Sequence, residues 1–197
     1  MVLAYHLIFT AYGFWLPNDP RGSWSDMVRA WELHHFGPAT RVTTRTSVAH
    51  TPHNHELRQA AKEALLYPPV IFTPEQRYLI ADGFRSATRR SSFRLLACSI
   101  MPEHVHVVVA RHRSLAEQIM CQLKGEASKT LTNAGQHPFQ NTILPRGKRH
   151  SPWTQDGWKV FLNTPQHIHQ AIAYVEANPQ KEGRRKQAWD FLVPPQV

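Results

Sequence analysis

The stretch Met101-Pro102-Glu103-His104-Val105-His106-Val107-Val108-Val109 constrains this chain more than any other. Valine is β-branched and packs well on a pleated surface, so the run reads as a strand. Side chains alternate between the faces of a strand. His104 and His106 therefore project from one face, and Val105, Val107 and Val109 from the other. The valine face needs an apolar layer against it. The other face presents two imidazoles side by side, a spacing that can chelate one divalent metal. Left without further ligands, the same pair would be two surface histidines. Pro102 cannot donate to a sheet ladder, so residues 101–103 form a tight turn. The apolar residues 94–100 before it then pair with 104–110 as an antiparallel hairpin.

The 197 residues suit a single domain spanning 1–197, and 42% hydrophobic content is enough for a real core. The chain has no apolar run long enough for a transmembrane helix. Its first ten residues lack a basic segment and a cleavage site and read as a first strand, not a signal peptide. Cys98 and Cys121 are the only cysteines. They give no disulfide framework and suit a reducing, cytoplasmic setting. The net charge of +9 and pI of about 10.0 raise the prospect of a polyanionic partner, most commonly nucleic acid. The plainer alternative is a generally basic surface.

Along the chain, residues 2–12 alternate as a strand would. Residues 13–72 are rich in proline and glycine and read as a long insertion, with one short helix over 54–66. An irregular segment of that length inside a domain is unusual and tends to be functional or mobile. Thr73-Pro74-Glu75-Gln76 is a helix start with a capping box, and Ile80, Phe84 and Ala87 follow at helical spacing. Ser114-Leu115-Ala116-Glu117 reads as a second capping box. Leu115, Ile119, Leu123, Ala127 and Leu131 then predict one buried helix face. Residues 133–157 form a polar loop and Trp158 to Leu162 a fourth strand. Thr164-Pro165 opens a last helix, whose end Pro179 and Gly183 bracket. The order β-α-β-β-α-β-α predicts an α+β class: a ferredoxin-like, split βαβ antiparallel sheet, with an extra C-terminal helix and the insertion after strand one.

In that last helix the apolar stripe is Ile168, Ala171, Ile172 and Val175. Tyr174 and Asn178 fall roughly 40° apart on its border, since a helix turns about 100° per residue. Asn178 can offer an amide oxygen to a metal, and Tyr174 a phenol oxygen as nucleophile. The ordinary alternatives are a boundary aromatic and a helix-ending Asn-Pro pair. His167-Ile168-His169 repeats the histidine spacing but lies in a helix, where residues two apart diverge by roughly 200°, so it cannot chelate. His53-Asn54-His55 lacks a strand context. Both pairs read as solvated surface.

His104-Val105-His106 in a hydrophobic strand, followed by Tyr174-Val175-Glu176-Ala177-Asn178-Pro179 on a helix, resembles the HUH single-tyrosine transposases. Within that group it looks like the REP-associated tyrosine transposases and the insertion-sequence-type transposase domains. The likeness spans Tyr5-His6-Leu7-Ile8-Phe9, residues 94–131 and Trp153 to Gly183. Phe14-Trp15-Leu16-Pro17-Asn18-Asp19-Pro20-Arg21-Gly22 looks like a subgroup feature. The resemblance implies His104, His106 and Asn178 as ligands of Mg²⁺ or Mn²⁺, and Tyr174 as the nucleophile. In some relatives the third ligand is a glutamine. It further implies single-stranded, hairpin-containing DNA as partner, a 5′-phosphotyrosine intermediate, and a monomer or homodimer. Imidazole with amide oxygen suits these ions, whereas zinc usually recruits a fuller N/S set. A base or water must take the phenol proton, and Glu103 and Glu176 are candidates.

Lys124, Lys129, Arg146, Lys148, Arg149, Arg184 and Arg185, with Lys181 and Lys186, are candidate phosphate-backbone contacts. Each taken singly reads as a solvated charge. Trp15, Trp24 and Trp31 could stack unpaired bases, although folding the insertion onto the core is the commoner use of such residues. Two rival functions share these features. One is a non-cleaving DNA-binding protein of the same fold. The other is a metal-dependent phosphoesterase that uses water.

Overall fold

The computed structural model describes residues 1–17, 19, 27, 28, 30–39 and 52–195, apart from the side chain of Arg146. Trp24 and part of the Phe14–Gly22 segment lie outside the described residues. Four strands form one antiparallel sheet: β1 (Ala4–Thr10), β2 (Leu95–Ile100), β3 (His104–Ala110) and β4 (Trp158–Leu162). Their spatial order is β2-β3-β1-β4. This is the ferredoxin-like arrangement that the element order predicts. The helices are α1 (His55–Glu63), α2 (Pro74–Ser91), α3 (Ala116–Asn133) and α4 (Pro165–Lys181). No helix among the described residues is long and apolar enough to cross a membrane.

Alternation divides the sheet into two faces. Leu7 and Phe9 of β1 join Val105, Val107 and Val109 of β3 in the main core, with Ile80, Phe84 and Ala87 of α2 and Ile119, Leu123, Ala127 and Leu131 of α3. Ala4 and Val108 turn to the opposite face and pack with Leu162, Ala171 and Val175 beneath α4. The two central strands are thus covered on both sides. The crossing of α2 and α3 depends on small residues. A methyl group on Gly83 would lie 2.6 Å from the Ala127 Cα.

The helix starts follow their sequence signals in two cases and shift in a third. Gln76 N donates to Thr73 Oγ1 and Thr73 N to the Gln76 side chain, completing the capping box of α2. Thr164 caps α4 by accepting from His167 N. For α3, however, the cap falls one residue later than Ser114: Leu115 N donates to the Gln118 side chain at 2.9 Å. Leu115 is consequently 64% exposed and not part of the buried stripe. Glu117 instead pairs with Lys159 of β4. The end of α4 falls between Pro179 and Gly183, as expected. The helix runs through Pro179 to Lys181 and closes on Gly183, which has a φ of 69°. Arg184 N donates to Pro179 O and Gly183 N to Gln180 O, a Schellman closure that satisfies the last carbonyls.

The described parts of the insertion carry regular structure that its composition does not suggest. A 3₁₀ turn over Trp31–Phe36 and α1 enclose a small cluster of Leu16, Leu33, Phe36 and Ala61. Its last residues, Val70 and Phe72, enter the main core. The 133–157 loop likewise buries Phe139 and Trp153, isolated aromatics that no periodicity reveals. The tail returns along the open edge of β2: Val193 N donates to Leu95 O, and the Gln187 amide pairs with both N and O of Ile100. Gln187 thereby stands in for a peptide group of a neighbouring strand.

The two helical glycines make a paired prediction. Gly83→Ala is expected to lower the thermal midpoint markedly, because the new methyl meets backbone of α3. Gly125→Ala, where a methyl meets nothing within 4 Å, is expected to stabilise by about 1 kcal/mol. Thermal denaturation of both variants checks this, and equal midpoints would refute the packing argument.

Candidate functional site

The α4 face of the sheet grades from apolar to polar along β3. At one end Val108 meets Val175 and Ala171. At the other end His106 and His104 meet Tyr174 and Asn178, which the helical repeat places one turn apart on α4. The His104 and His106 rings lie 5.0 Å apart. Tyr174 packs edge-on to His106 at 5.5 Å. Asn178 Nδ2 lies 3.3 Å from His104 Nε2 and 3.4 Å from Ser99 Oγ. The four residues singled out by sequence therefore meet in one place.

Two further residues join them that sequence reasoning missed. His6 of β1 lies with its Nε2 3.0 Å from His106 Nδ1, and its ring 5.9 Å from that of Tyr174. Glu182 places Oε1 3.8 Å from His104 Nε2. The helical spacing of Tyr174, Asn178 and Glu182 was a readable signal for the second. Of the acids named from sequence, Glu176 pairs with Lys186 at 3.3 Å. The backbone carbonyl of Glu103 accepts from Ala11 N. Phe14, at the start of the insertion, brings its ring 5.6 Å from His104 and walls that side.

Burial sets the protonation of this cluster. Desolvation lowers His6 to a pKa of about 4. It also holds His106 well below the usual imidazole range, with His104, His6 and Lys181 adding repulsion. Both rings are thus neutral at pH 7, the form a metal ligand requires. Burial, and secondarily Glu182, raises the Tyr174 phenol above its ordinary value, so it is protonated. The Lys181 ammonium sits 4.5 Å over the Tyr174 ring, and Tyr174 remains 44% exposed.

Among the described residues, no group of three or more His, Cys, Asp or Glu side chains is gathered as a metal cluster. The donors that do converge are mixed: two imidazoles, the Asn178 amide and, at longer range, the Glu182 carboxylate. Such N/O sets fit Mn²⁺ or Mg²⁺ better than zinc. Asn178 turns its NH₂ toward His104, so presenting its oxygen there requires the amide to turn over.

The basic candidates separate. Lys124 donates to the carbonyls of Thr154 and Asp156 and is engaged in holding that loop. Lys129, Lys148, Arg184 and Arg185 are exposed, and Arg149 reaches Gln140 O at 3.4 Å. Arg77 of α2, not singled out from sequence, is lowered by burial and then by repulsion from Arg184. His167 and His169 are exposed on α4, whereas the His53 and His55 rings lie 4.1 Å apart and tilted by 47°. Trp31 is 78% exposed. Trp15 lines a separate cleft of about 720 Å³, together with Leu33, Lys124, His150 and Trp153. None of His6, His104, His106, Tyr174, Asn178 and Glu182 borders that cleft.

No protein-family model matches the chain, and no curated protein matches it. Among solved structures it is similar to the REP-associated tyrosine transposase bound to a REP hairpin. The TM-score is 0.48 at 12% identity, over 96% of this chain and 74% of that one. It is also similar to a protein of Deinococcus radiodurans R1 provisionally described as a transposase. Here the TM-score is 0.39 at 14% identity, over 89% of this chain and 90% of that one.

Lys124 supplies a pH test. Burial lowers its pKa from 10.5 to about 8. Between those values the unfolded chain holds more protons, so its contribution to stability rises with pH across the window and is least favourable below it. The unfolding free energy of the native chain minus that of Lys124→Met is expected to increase from about pH 7.5 to about pH 9.5 in urea titrations. Taking the difference cancels the opposing titration of Cys98, whose thiol burial pushes up. A falling difference would refute this account.

Proposed function

We propose that this chain is a divalent-metal-dependent single-stranded DNA transesterase, a transposase of the HUH single-tyrosine type acting on hairpin-containing DNA. One observation carries the reading. A histidine pair on β3 faces a tyrosine and an asparagine on α4, with the Tyr174 ring 5.5 Å from His106 and the Asn178 amide 3.3 Å from His104. A tyrosine packed this way against a potential ion site, with nearly half its surface open, has access to a phosphodiester.

In this reading His104, His106 and Asn178 hold the ion, and the side of the cluster lined by Glu182 completes its surroundings. When bound, the ion supplies Lewis acidity toward a phosphate oxygen. Tyr174 Oη attacks phosphorus, a new P–O bond forms and the bond to the 3′ oxygen breaks. The phenol proton leaves Tyr174, and a proton ends on the departing 3′-hydroxyl. Glu182, which acts electrostatically on Tyr174, is better situated to receive that proton than Glu176, which Lys186 engages. The 5′-phosphotyrosine retains the bond energy, so another 3′-hydroxyl can reverse the step without a nucleotide cofactor. Lys181 over the Tyr174 ring, and the Arg77–Arg184 pair of like charges, supply cations suited to the flanking phosphates.

Incubating the protein with a labelled single-stranded hairpin oligonucleotide and Mn²⁺ is expected to give an SDS-resistant covalent adduct. Tyr174→Phe is expected to reduce the adduct to background without altering the melting temperature. Persistence of the adduct in that variant would sink the assignment of Tyr174. Cleavage without any adduct would favour water as nucleophile. Salt-sensitive hairpin binding with neither outcome would favour a non-cleaving binding protein.

A further inference from the structure

The third imidazole, His6, has no part in the motif that drew attention to the site. It arrives there through strand register. In the antiparallel β1–β3 pair, Ile8 stands opposite His106 and His6 opposite Val108. His6 and His106 are therefore diagonal neighbours on one face of the sheet, within reach of each other's long side chains. Their rings close to a 3.0 Å contact between His6 Nε2 and His106 Nδ1. Both residues are buried, at 8% and 6% exposure, so water does not compete for this hydrogen bond.

Only one proton can occupy a hydrogen bond between two neutral imidazoles. If His6 Nε2 carries it, His106 is left with a proton on its own Nε2 and has no nitrogen free for an ion. If His106 Nδ1 carries it, His106 keeps an open lone pair at Nε2 while His6 takes its proton on Nδ1. We propose that His6 is a positioning residue that accepts the Nδ1 proton of His106, fixing both the ring orientation and the tautomer in which His106 can ligate a divalent cation. This inference rests on the reading of His106 as a ligand. A metal-bound histidine commonly donates its second ring N–H to an outer acceptor, and losing that acceptor typically weakens metal affinity by about 10- to 100-fold. His6 Nε2, engaged with His106, is correspondingly not available as a direct ligand or as the base for Tyr174.

Two measurements on the full chain test this. Long-range ¹H–¹⁵N NMR of the metal-free native protein should show His106 protonated at Nδ1. Protonation mainly at Nε2 would overturn the proposal whatever the protein's activity. Mn²⁺ titration followed by electron paramagnetic resonance is expected to show binding that His106→Ala abolishes. His6→Leu should weaken that binding by about 10- to 100-fold. His6→Gln, whose amide oxygen can accept at the position of Nε2, should restore most of it. Undiminished Mn²⁺ binding by His6→Leu, with His106→Ala still abolishing it, would overturn the role of His6 and leave the metal-site reading intact. Binding that His106→Ala leaves unchanged would defeat the metal-site reading, with the NMR result still deciding the tautomer. Circular dichroism of each variant identifies loss of fold, and the native-protein spectrum decides the question without any variant.

Discussion

The antiparallel register between β1 and β3 is the constraint on which the rest of the molecule depends. It sets which side chains share a face, and so assigns Leu7, Phe9 and the valines at 105, 107 and 109 to one layer and His6 and His106 to the other. A slip of one residue would exchange the faces of an entire strand, burying imidazoles in the α2–α3 core and turning its valines toward α4. The apolar face therefore holds the polar one in place. Hydrophobic burial in the main core fixes the backbone, and the histidine cluster inherits its geometry from that fixed frame.

The second determinant is α4, which carries two interleaved sets of residues. Ala171 and Val175 pack on the sheet, which orients the helix. Tyr174 and Asn178, on the border of that stripe, face the histidines. Continuing the helix through Pro179 also brings Glu182 within 3.8 Å of His104, a carboxylate the site would otherwise lack. Pro179 has no N–H to give the Val175 carbonyl, its usual partner one turn back. The closure at Gly183 satisfies the carbonyls of Pro179 and Gln180.

Sequence reasoning succeeded where the signal is local and periodic. The strand alternation at 104–109, the Thr73 capping box and the leucine stripe of α3 rest on interactions within one element. The four site residues named from sequence also meet, because each strand or helix face was readable separately. What escaped depends on contacts between distant segments. His6 required the register of two strands about a hundred residues apart, Trp153 and Phe139 required a loop to fold onto the core, and Gln187 required an exposed sheet edge to receive it. The shift of the α3 start from Ser114 to Leu115 is a smaller failure: Gln118 and Glu117 offer the same capping chemistry one residue apart, and Lys159 claims Glu117.

The tail along β2 bears on how two copies of this chain could cooperate. From the end of α4 only residues 182–186 lead to Gln187, which is already bonded to Ile100, and Val193 is bonded to Leu95 beyond it. The other end of α4 follows β4 directly, through Asn163 and Thr164. The helix is therefore tied to its own sheet at both ends by short connections. Donating it to a neighbouring molecule would require stripping the tail from the β2 edge and exposing a row of unpaired peptide groups. That architecture keeps Tyr174 over the histidines of its own chain.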